Sequence, residues 1–315
     1  MIGRLTSMQV LPEVKHSRIL ITGAQGFIGR YLTREIVKYN PKQPLLLGKS
    51  PRRNFEDAPT AEYIQMDLRN RESLESLARL HNFDVIYNLA EKIDQSTGAG
   101  KYEEQFAINY LATLYLVEAF QSKVKKFIQI GTNAEYGNAP VSHHSTTTRE
   151  QPNSAYGVSK LAATKMLIAK LQSENINVKI IRPFLVFGVG QNPKSLLGQV
   201  LNAIKTNEPL KTSAKQQTRD FISVIKVVEK LVENLTIFQE DLQIENCCAR
   251  VEIKILDVLE YICSINANFS YYFQSSMVRK TEMIRSLGFV DFQDTNEERI
   301  KVVKEDLRDW LQCEV

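Results

Sequence analysis

The sequence predicts an α/β fold, a doubly wound parallel sheet of the Rossmann type followed by a smaller, mixed C-terminal subdomain. Apolar runs of about five residues alternate with helical segments of about ten or more up to Arg182, as in repeated βαβ units. A glycine-rich turn follows the first apolar run and begins the first helix. Beyond Arg182 the alternation stops. We therefore divide the chain into a first domain, 1–182 with 218–250 returning to it, and a subdomain formed by 183–217 and 251–315.

The individual elements follow from the spacing of apolar residues. In the first helix, Ile28, Leu32 and Ile36 recur on one face, as helical periodicity requires. Asn153 or Ser154 is expected to cap the long helix that follows them. In chain order, the predicted elements are strand 18–22, helix 26–39, strand 44–47, strand 63–66, helix 71–81, strand 84–88, helix 102–121, strand 126–130, helix 154–173, strand 178–181, strand 241–246 and a largely helical tail at 281–315.

The composition excludes several functional classes. The 315 residues are 43% apolar and 24% charged, with a formal net charge of +4, which is typical of an ordinary soluble protein. The chain has no long basic stripe, so nucleic acid is not an expected partner. No run approaches the ~20 apolar residues that cross a bilayer, and the four cysteines lack metal-ligand spacing. We expect a cytoplasmic protein with free thiols, no metal and no membrane association.

The glycine-rich turn consists of Gly23, Gly26 and Gly29, with Phe27 and Ile28 beginning the helix. Glycine lets the backbone turn tightly and approach a phosphate without an obstructing Cβ. The helix N-terminus then directs N–H groups and the positive end of its dipole at that phosphate. Because the turn lies between a strand and an amphipathic helix, it predicts a dinucleotide site. The alternative is an ordinary strand-to-helix turn that is rich in glycine.

The end of the second strand predicts which dinucleotide binds. A carboxylate there would bind the ribose hydroxyls of NAD, whereas a basic residue would accept the 2′-phosphate of NADP. This segment has no acid and instead offers Lys49, Ser50, Arg52 and Arg53. We therefore predict NADP(H) over NAD(H), with Arg52 as the first choice for the phosphate because a planar guanidinium suits it. The alternative is a solvated basic loop.

Two further strand ends are expected to border the cofactor. Asp67 and Leu68 follow the third strand, and Asp67 could accept a hydrogen bond from an adenine amino group or cap the next helix. Leu89 and Ala90 follow the fourth strand, where small and apolar residues would let the backbone pass beneath the cofactor. An ordinary strand end is the alternative for Leu89 and Ala90.

The predicted catalytic group consists of Tyr156, Lys160 and Thr132. Tyr156 and Lys160 are four residues apart on a predicted helix and share a face. A nearby ammonium is expected to lower the pKa of the phenol, which is normally ~10. Thr132 follows the fifth strand, where its hydroxyl could bond both a substrate oxygen and the tyrosine. The alternatives are a surface lysine beside a half-buried tyrosine, and a threonine that satisfies local backbone.

Taken together, these residues resemble the extended short-chain dehydrogenase/reductases, the NAD-dependent epimerase/dehydratase group that acts on nucleotide sugars. The matching motifs are Thr22–Gly29, Asp67, Asn88-Leu89-Ala90, Asn109, Gly131–Gly137, the Tyr156 and Lys160 pair, Arg182–Gly188 and Arg219–Ile222.

The resemblance implies roles for individual residues. Thr132, Tyr156 and Lys160 would form the catalytic triad, and Asn109 would belong to the cofactor site. Asn133 would contact substrate, and Arg219 would bind the pyrophosphate of a nucleotide sugar, unless it pairs with a neighbouring acid. The resemblance also implies a homodimer in which the two long helices of each subunit pair across a two-fold axis.

Departures from the family pattern indicate the reaction. Dehydratases in the family usually carry an acid at the position of Ala134, whereas here Glu135 is displaced by one residue and would point elsewhere. Leu185 replaces a frequent asparagine, and Ser223-Val224-Ile225 replaces a frequent Tyr-Val-Asp. The string Gly131–Gly137 resembles the 4-ketoreductase branch.

These features favour an NADPH-dependent reductase of a nucleotide-linked 4-keto-6-deoxyhexose. A 4-epimerase that retains its cofactor is the main alternative. A dehydratase, another carbonyl reductase and a non-catalytic NADP-binding sensor are further alternatives. The sequence does not identify the nucleotide base or the hexose.

Overall fold

The computed structural model describes residues 16–40, 42–52, 60–94, 100–139, 141, 143–172, 174, 176–212, 217–236, 243–274, 286–288 and 295–314. Its strands are β1 Ile19–Thr22, β2 Leu45–Gly48, β3 Tyr63–Gln65, β4 Val85–Asn88, β5 Lys126–Ile130, β6 Asn177–Pro183, β7 Leu185–Phe187, β8 Leu210–Thr212, β9 Thr218–Arg219, β10 Phe221–Ser223, β11 Gln243–Cys247, β12 Ile253–Lys254 and β13 Tyr271–Phe273. Its α-helices are α1 Phe27–Tyr39, α2 Arg71–Leu80, α3 Lys101–Phe106, α4 Ala112–Phe120, α5 Ala155–Gln172, α6 Leu196–Thr206, α7 Val224–Thr236, α8 Ile255–Ile265 and α9 Asn296–Glu314.

The main sheet has seven strands in the order β11-β6-β5-β4-β1-β2-β3. The sequence predicted this Rossmann-type fold, and the prediction is confirmed. The central strand β1 is parallel to both neighbours, with Thr22 opposite Leu47 on one side and Asn88 on the other. Every residue of β1, β4 and β5 is buried, because helices cover both faces of a parallel sheet. This register places the carboxyl ends of β1, β2 and β4 at one edge.

The helices adjoining the candidate site have identifiable local causes. Ser154 caps α5, since its hydroxyl accepts a hydrogen bond from the backbone N–H of Gly157 at 3.1 Å, as one of the two predicted caps. The predicted helix at 102–121 is observed as α3, a π turn at Ala107–Leu111, and α4. A π turn inside an α-helix re-aims nearby side chains and is frequent at functional positions. Here it contains Asn109.

The chain forms two compact units. The first unit comprises 1–135, 152–182 and 226–245, and the second comprises 136–151, 183–225 and 246–315. The segment that returns to the first unit is therefore shorter than the predicted 218–250. The roles assigned to the two parts, cofactor binding and substrate binding, remain predictions.

Each unit has its own apolar core. In the first, Leu20, Ile86 and Phe127 of the sheet pack with Leu116 of α4 and Leu167 of α5. In the second, α6, α8 and α9 pack around a separate cluster. Among the described residues, no helix combines the length and the apolar character needed to cross a bilayer.

Candidate cofactor and catalytic site

The glycine turn after β1 is closely packed where glycine was predicted to matter. Gly23 has a φ of +63°, and a Cβ there would lie 2.7 Å from the backbone N of Ala90. A Cβ on Gly29 would collide with the carbonyl oxygen of Gly23. The exposed Gly26 precedes α1, and no side chain caps that helix. The turn therefore presents a helix N-terminus without a competing side chain, which fits the pyrophosphate of a dinucleotide.

Phe27 and Ile28 are half-buried residues of the first turn of α1. The ring of Phe27 contacts the ring of Tyr31 edge-on, with centroids 6.1 Å apart. Their backbone N–H groups belong to the helix end that the glycine turn leaves open. Their predicted role at the phosphate stays a prediction.

The end of β2 is shaped by Tyr63, which the sequence analysis did not single out. A Cβ on Gly48 would collide with the Tyr63 hydroxyl, so an acidic side chain does not fit there while Tyr63 keeps its position. The same hydroxyl donates to the carbonyl of Ser50 at 2.5 Å, and the Gln25 amide donates to the carbonyls of Ser50 and Pro51. These contacts fix the turn that carries the predicted phosphate ligands.

The predicted phosphate ligands lie on the surface beyond β2. Lys49, Ser50 and Arg52 are exposed, and the ammonium of Lys49 lies 3.5 Å from the carboxylate of Asp67. Arg53, also predicted, lies outside the described residues. The described part of the turn therefore combines two cations, one hydroxyl and a glycine in place of an acid.

Asp67 is held by Arg69. The Arg69 guanidinium donates to the Asp67 carboxylate at 2.6 Å, and this hydrogen bond is the main reason that the pKa of Asp67 lies well below its usual range. Asn70, rather than Asp67, caps α2, since it accepts a hydrogen bond from the N–H of Ser73 at 3.0 Å. The capping alternative for Asp67 is therefore wrong, and the adenine contact stays a prediction. Leu68 is buried in the core.

A buried polar network fixes the ends of β1 and β4. Thr22 donates its hydroxyl to Asn88 at 2.5 Å and accepts from the N–H of Ala90 at 3.3 Å. The Asn88 amide also donates to Gln129 of β5 at 2.8 Å. Since Leu89 and Ala90 also lie against Gly23, the backbone after β4 adjoins the glycine turn, and the predicted place of Leu89 and Ala90 beneath the cofactor stays a prediction.

Tyr156 and Lys160 meet at this edge through Glu91, the residue after Ala90. The Tyr156 hydroxyl lies 3.0 Å from a carboxylate oxygen of Glu91, and the Lys160 ammonium lies 3.1 Å from the same oxygen. Lys160 also donates to the carbonyl of Ile130 at 2.6 Å. Tyr156 and Lys160 are 3% and 1% exposed. The phenol, the ammonium and the strand end next to the glycine turn are therefore brought together.

The Tyr156 phenol has a pKa well above 10. Burial is the first cause and the charge of Glu91 the second, while a hydrogen bond with Thr132 acts in the opposite direction. The prediction that Lys160 lowers this pKa is wrong, because burial and the charge of Glu91 dominate. The raised pKa favours the protonated phenol.

Thr132 and Asn133 lie at the carboxyl end of β5. The Thr132 hydroxyl hydrogen-bonds Tyr156 and accepts from the N–H of Ala134 at 3.2 Å. Asn133 is half-buried, with its amide oxygen 3.4 Å from the Thr132 hydroxyl. The structure thus brings Thr132 together with Tyr156, as predicted, and places Asn133 beside them.

Glu135 is fully buried beneath this group. Its carboxylate accepts two hydrogen bonds from the Arg182 guanidinium, at 2.7 and 3.0 Å, and one from the Thr164 hydroxyl at 2.9 Å. Its other oxygen accepts from the N–H of Thr132 at 2.9 Å. All of these contacts lie in the protein interior. Glu135 therefore holds the backbone of Thr132 in place through this hydrogen bond and does not face solvent.

Asn109, in the π turn, links the strand-end loop to α5. Its amide oxygen accepts from the N–H of Lys92 at 2.9 Å, and its amide nitrogen donates to the Ser159 hydroxyl at 3.0 Å. Asn109 is 1% exposed. Its contacts thus hold the segment containing Glu91 against the helix containing Tyr156. Its predicted role in binding the cofactor stays a prediction.

Arg219 belongs to the second unit. Its guanidinium donates to the carbonyl of Thr218 at 2.8 Å. The neighbouring Asp220 is buried and accepts hydrogen bonds from the N–H groups of Ala249 and Arg250. Burial raises the pKa of Asp220 to about 7. The predicted contact of Arg219 with a nucleotide pyrophosphate stays a prediction.

Residues 19–243 match the model of the NAD dependent epimerase/dehydratase family, which is more than half of the chain. The chain belongs to that family. This confirms the resemblance inferred from the glycine turn, the Tyr156 and Lys160 pair and the motifs between them. Relatives similar to this chain include proteins named as a nucleotide-sugar dehydrogenase, an epimerase and a dehydratase.

Two curated relatives illustrate the range within this epimerase/dehydratase family. A dTDP-6-deoxy-L-talose 4-dehydrogenase (NAD(P)(+)) of Kitasatospora kifunensis is 29% identical over 236 residues, covering 70% of each chain. The uncharacterized UDP-glucose epimerase YtcB of Bacillus subtilis is 25% identical over 268 residues, 81% of this chain and 84% of that protein.

Solved structures confirm the family fold. A UDP-N-acetylglucosamine 4-epimerase from Methanobrevibacter ruminantium, in complex with UDP-N-acetylmuramic acid, has a TM-score of 0.82 at 20% identity, covering 96% of this chain and 100% of that one. A Thermus thermophilus UDP-glucose 4-epimerase, in complex with NAD, has a TM-score of 0.76 at 21% identity, covering 93% of each chain. At these identities the likeness establishes the fold alone.

Proposed function

We propose that the protein is an NADPH-dependent reductase of a nucleotide-linked 4-keto-6-deoxyhexose. The observation that carries this proposal is the buried, protonated Tyr156, placed beside the strand end that adjoins the glycine turn. A protonated phenol suits the donation of a proton to a developing alkoxide. A curated relative named as a dTDP-6-deoxy-L-talose 4-dehydrogenase supports carbon 4 of the sugar as the site of reaction. Reduction of a 4-keto group is the reverse of a 4-dehydrogenase reaction.

The chain supplies proton transfer and charge stabilisation. When bound, the nicotinamide supplies the hydride for the ketone carbon. Tyr156 donates its proton to the ketone oxygen. Thr132, which is hydrogen-bonded to Tyr156, stabilises the negative charge that develops on the same oxygen. Lys160 is fixed by the carbonyl of Ile130 and contributes a positive charge to the site. Asn133 and Arg219 are the proposed contacts to the sugar and its pyrophosphate.

The preference for NADPH is proposed from the turn after β2. Tyr63 occupies the space that an acidic side chain on Gly48 would need, and the exposed Lys49 and Arg52 lie just beyond. An acid there favours NAD because it binds the ribose hydroxyls and repels a 2′-phosphate. A solved structure of the same fold is a complex with NAD, so the test compares the two cofactors directly.

Arg52→Ala is expected to weaken NADPH binding by about 10- to 100-fold, because a charged hydrogen bond contributes about 1.5–3 kcal/mol. NADH binding should change little, since NADH has no 2′-phosphate. Titration of purified protein with each cofactor, followed by fluorescence, measures both constants. Arg79→Ala, on α2 and bonded to Ser76, is a matched control that should leave both constants unchanged. Equal losses for the two cofactors would contradict the assignment.

Dehydratase activity is disfavoured by the position of Glu135. Water elimination needs an acid that reaches the substrate, whereas the Glu135 carboxylate is buried and engaged by Arg182, Thr164 and the N–H of Thr132. The residue at the position of the usual acid, Ala134, has no titratable group. The buried position of Glu135 therefore agrees with its displacement by one residue from the position of the usual dehydratase acid.

A 4-epimerase is the second candidate, because several solved structures of this fold and two curated relatives are named as 4-epimerases or UDP-glucose epimerases. Purified protein mixed with NADPH and a panel of dTDP- and UDP-linked 4-keto-6-deoxyhexoses separates the candidates. Stoichiometric loss of reduced-nicotinamide absorbance supports the reductase. Epimerised product without net oxidation, tested with the corresponding 4-hydroxy sugars, supports the epimerase. Tight NADPH binding without reaction on any sugar would favour the sensor.

We also propose a homodimer in which α3, α4 and α5 of two copies pair. Tyr102 of α3 and Leu111 of the π turn are 57% and 37% exposed, so this helical segment carries exposed apolar side chains. Light scattering should report twice the chain mass for the protein and the single-chain mass for the variant Tyr102→Glu/Leu111→Glu. A single-chain mass for the unmodified protein would contradict this arrangement.

A further inference from the structure

Glu91 is a titratable residue beside Tyr156 and Lys160 that has no role in the proposed reaction. It follows the strand-end segment Asn88-Leu89-Ala90, and one carboxylate oxygen contacts both the Tyr156 hydroxyl and the Lys160 ammonium, at 3.0 and 3.1 Å. Its side chain is 15% exposed. The contact is not a surface pairing between flexible side chains, because both partners are almost fully buried.

The segment that carries Glu91 is held in place by contacts on both sides. The N–H of Ala90 donates to the buried Thr22 hydroxyl, and the N–H of Lys92 donates to the buried Asn109 amide. Asn109 is itself bonded to Ser159, which lies on α5 between Tyr156 and Lys160 in sequence. The backbone on either side of Glu91 is thereby tied to the sheet and to the helix of the catalytic pair.

The charges around the phenol come from three elements. Glu91 acts from the loop after β4, Glu135 from the turn after β5, and Lys160 from α5 itself. Glu135 is neutralised by its two hydrogen bonds to Arg182. Glu91 has a different effect: its charge adjoins the phenol directly and also neutralises Lys160, the cation that would otherwise favour the phenolate.

We propose that Glu91 is a positioning residue that holds the Tyr156 hydroxyl against one carboxylate oxygen and keeps the phenol, the proposed proton donor, in its protonated form up to higher pH. The catalytic part of this inference rests on the proposed function, in which Tyr156 is the proton donor. With Glu91 in place, the phenol donates its hydrogen bond to a carboxylate. Without it, the phenol would face the Lys160 ammonium alone, and the phenolate would form more readily.

The variant Glu91→Gln tests the inference, because the amide keeps the shape of the side chain and removes its charge. Protein labelled with ¹³C at the phenolic carbon of tyrosine is titrated through the alkaline range by NMR, without cofactor or substrate. The variant Tyr156→Phe identifies the Tyr156 signal. In Glu91→Gln, ionisation of Tyr156 should move to lower pH by about one to three units.

Glu104→Gln is the matched control. Glu104 pairs with Lys92, the residue after Glu91, and has no recorded contact with Tyr156 or Lys160 among the described residues. The substitution Glu104→Gln removes one carboxylate near Glu91, and the pH at which Tyr156 ionises should not change. The inference is overturned if Tyr156 ionises at the same pH in Glu91→Gln and in the unmodified protein. It is also overturned if Tyr156 ionises in neither protein within the titrated range.

A second measurement separates this inference from the proposed reaction. In Glu91→Gln the rate of sugar reduction should begin to fall at a lower pH than in the unmodified protein, with little change in KM, because the variant loses its protonated phenol at lower pH. The NMR shift requires no substrate, so a shift without any reductase activity would refute the proposed reaction and leave the role of Glu91 standing. Reductase activity without a shift would refute the role of Glu91 alone.

Discussion

Tyr156→Phe is expected to reduce turnover of a nucleotide-linked 4-keto sugar by about 10²- to 10⁴-fold, the usual contribution of a positioned general acid. Phenylalanine keeps the ring and its packing, and it removes only the hydroxyl that contacts Glu91 and Thr132. The affinity for NADPH should change little, because the glycine turn and the turn after β2 are untouched. Steady-state rates and cofactor titrations on the same preparation measure both effects.

The matched control is Tyr39→Phe, at the end of α1 far from the glycine turn. It removes a phenolic hydroxyl without touching Tyr156, and it should leave both turnover and NADPH affinity unchanged. Turnover retained in Tyr156→Phe would remove the proton-donor role and, with it, the mechanism proposed above. Loss of NADPH binding together with turnover would point to a structural effect instead.

The sheet could be predicted from the sequence because each of its strands is a local pattern. Buried parallel strands appear as short apolar runs, and the glycine turn marks the end of β1. The same reasoning placed the catalytic pair on one helix and gave Asn153 or Ser154 as its cap, of which the structure shows Ser154. Parallel pairing then places the strand ends at one edge, so the neighbourhood of Gly23 and Ala90 follows from the topology alone.

The missed residues act across the fold. Glu91 is an isolated acid after Asn-Leu-Ala and appears in the sequence as a polar loop residue. Its significance comes from Tyr156, 65 residues further along the chain. Tyr63 belongs to β3, and only the pairing of β2 with β3 places its hydroxyl at Gly48. The one available signal was Gly48 itself, a glycine at the end of a strand, which often marks close approach of another group.

The charge of the phenol could not be derived from spacing. The spacing of four positions from Tyr156 to Lys160 correctly predicts a shared helix face, but the pKa depends on burial and on every charge nearby. Glu135 shows the opposite case. Its displacement by one residue predicts a different environment from that of the dehydratase acid, because neighbouring side chains of a turn point in different directions, and the structure shows Glu135 engaged by buried partners.

Arg182→Met is expected to lower the free energy of unfolding by about 3–5 kcal/mol, because it leaves the Glu135 carboxylate buried without its charged partner. Both side chains are fully buried in the native protein. The midpoint of urea unfolding, followed by circular dichroism, measures the change. Arg71→Met is the control: Arg71 is exposed and pairs with Glu75 and Glu118, so its loss should barely move the midpoint.

The double variant Arg182→Met/Glu135→Leu separates stability from catalysis. Replacing a buried ion pair by apolar residues of similar volume is often neutral, so much of the lost stability should return. Turnover should not return with it, because Glu135 also accepts the N–H of Thr132 and that buried donor would lose its partner. Recovery of both stability and turnover would contradict the role of Glu135 in supporting Thr132. If stability returns while turnover stays low, the buried pair of Arg182 and Glu135 contributes to catalysis by orienting Thr132 beside Tyr156.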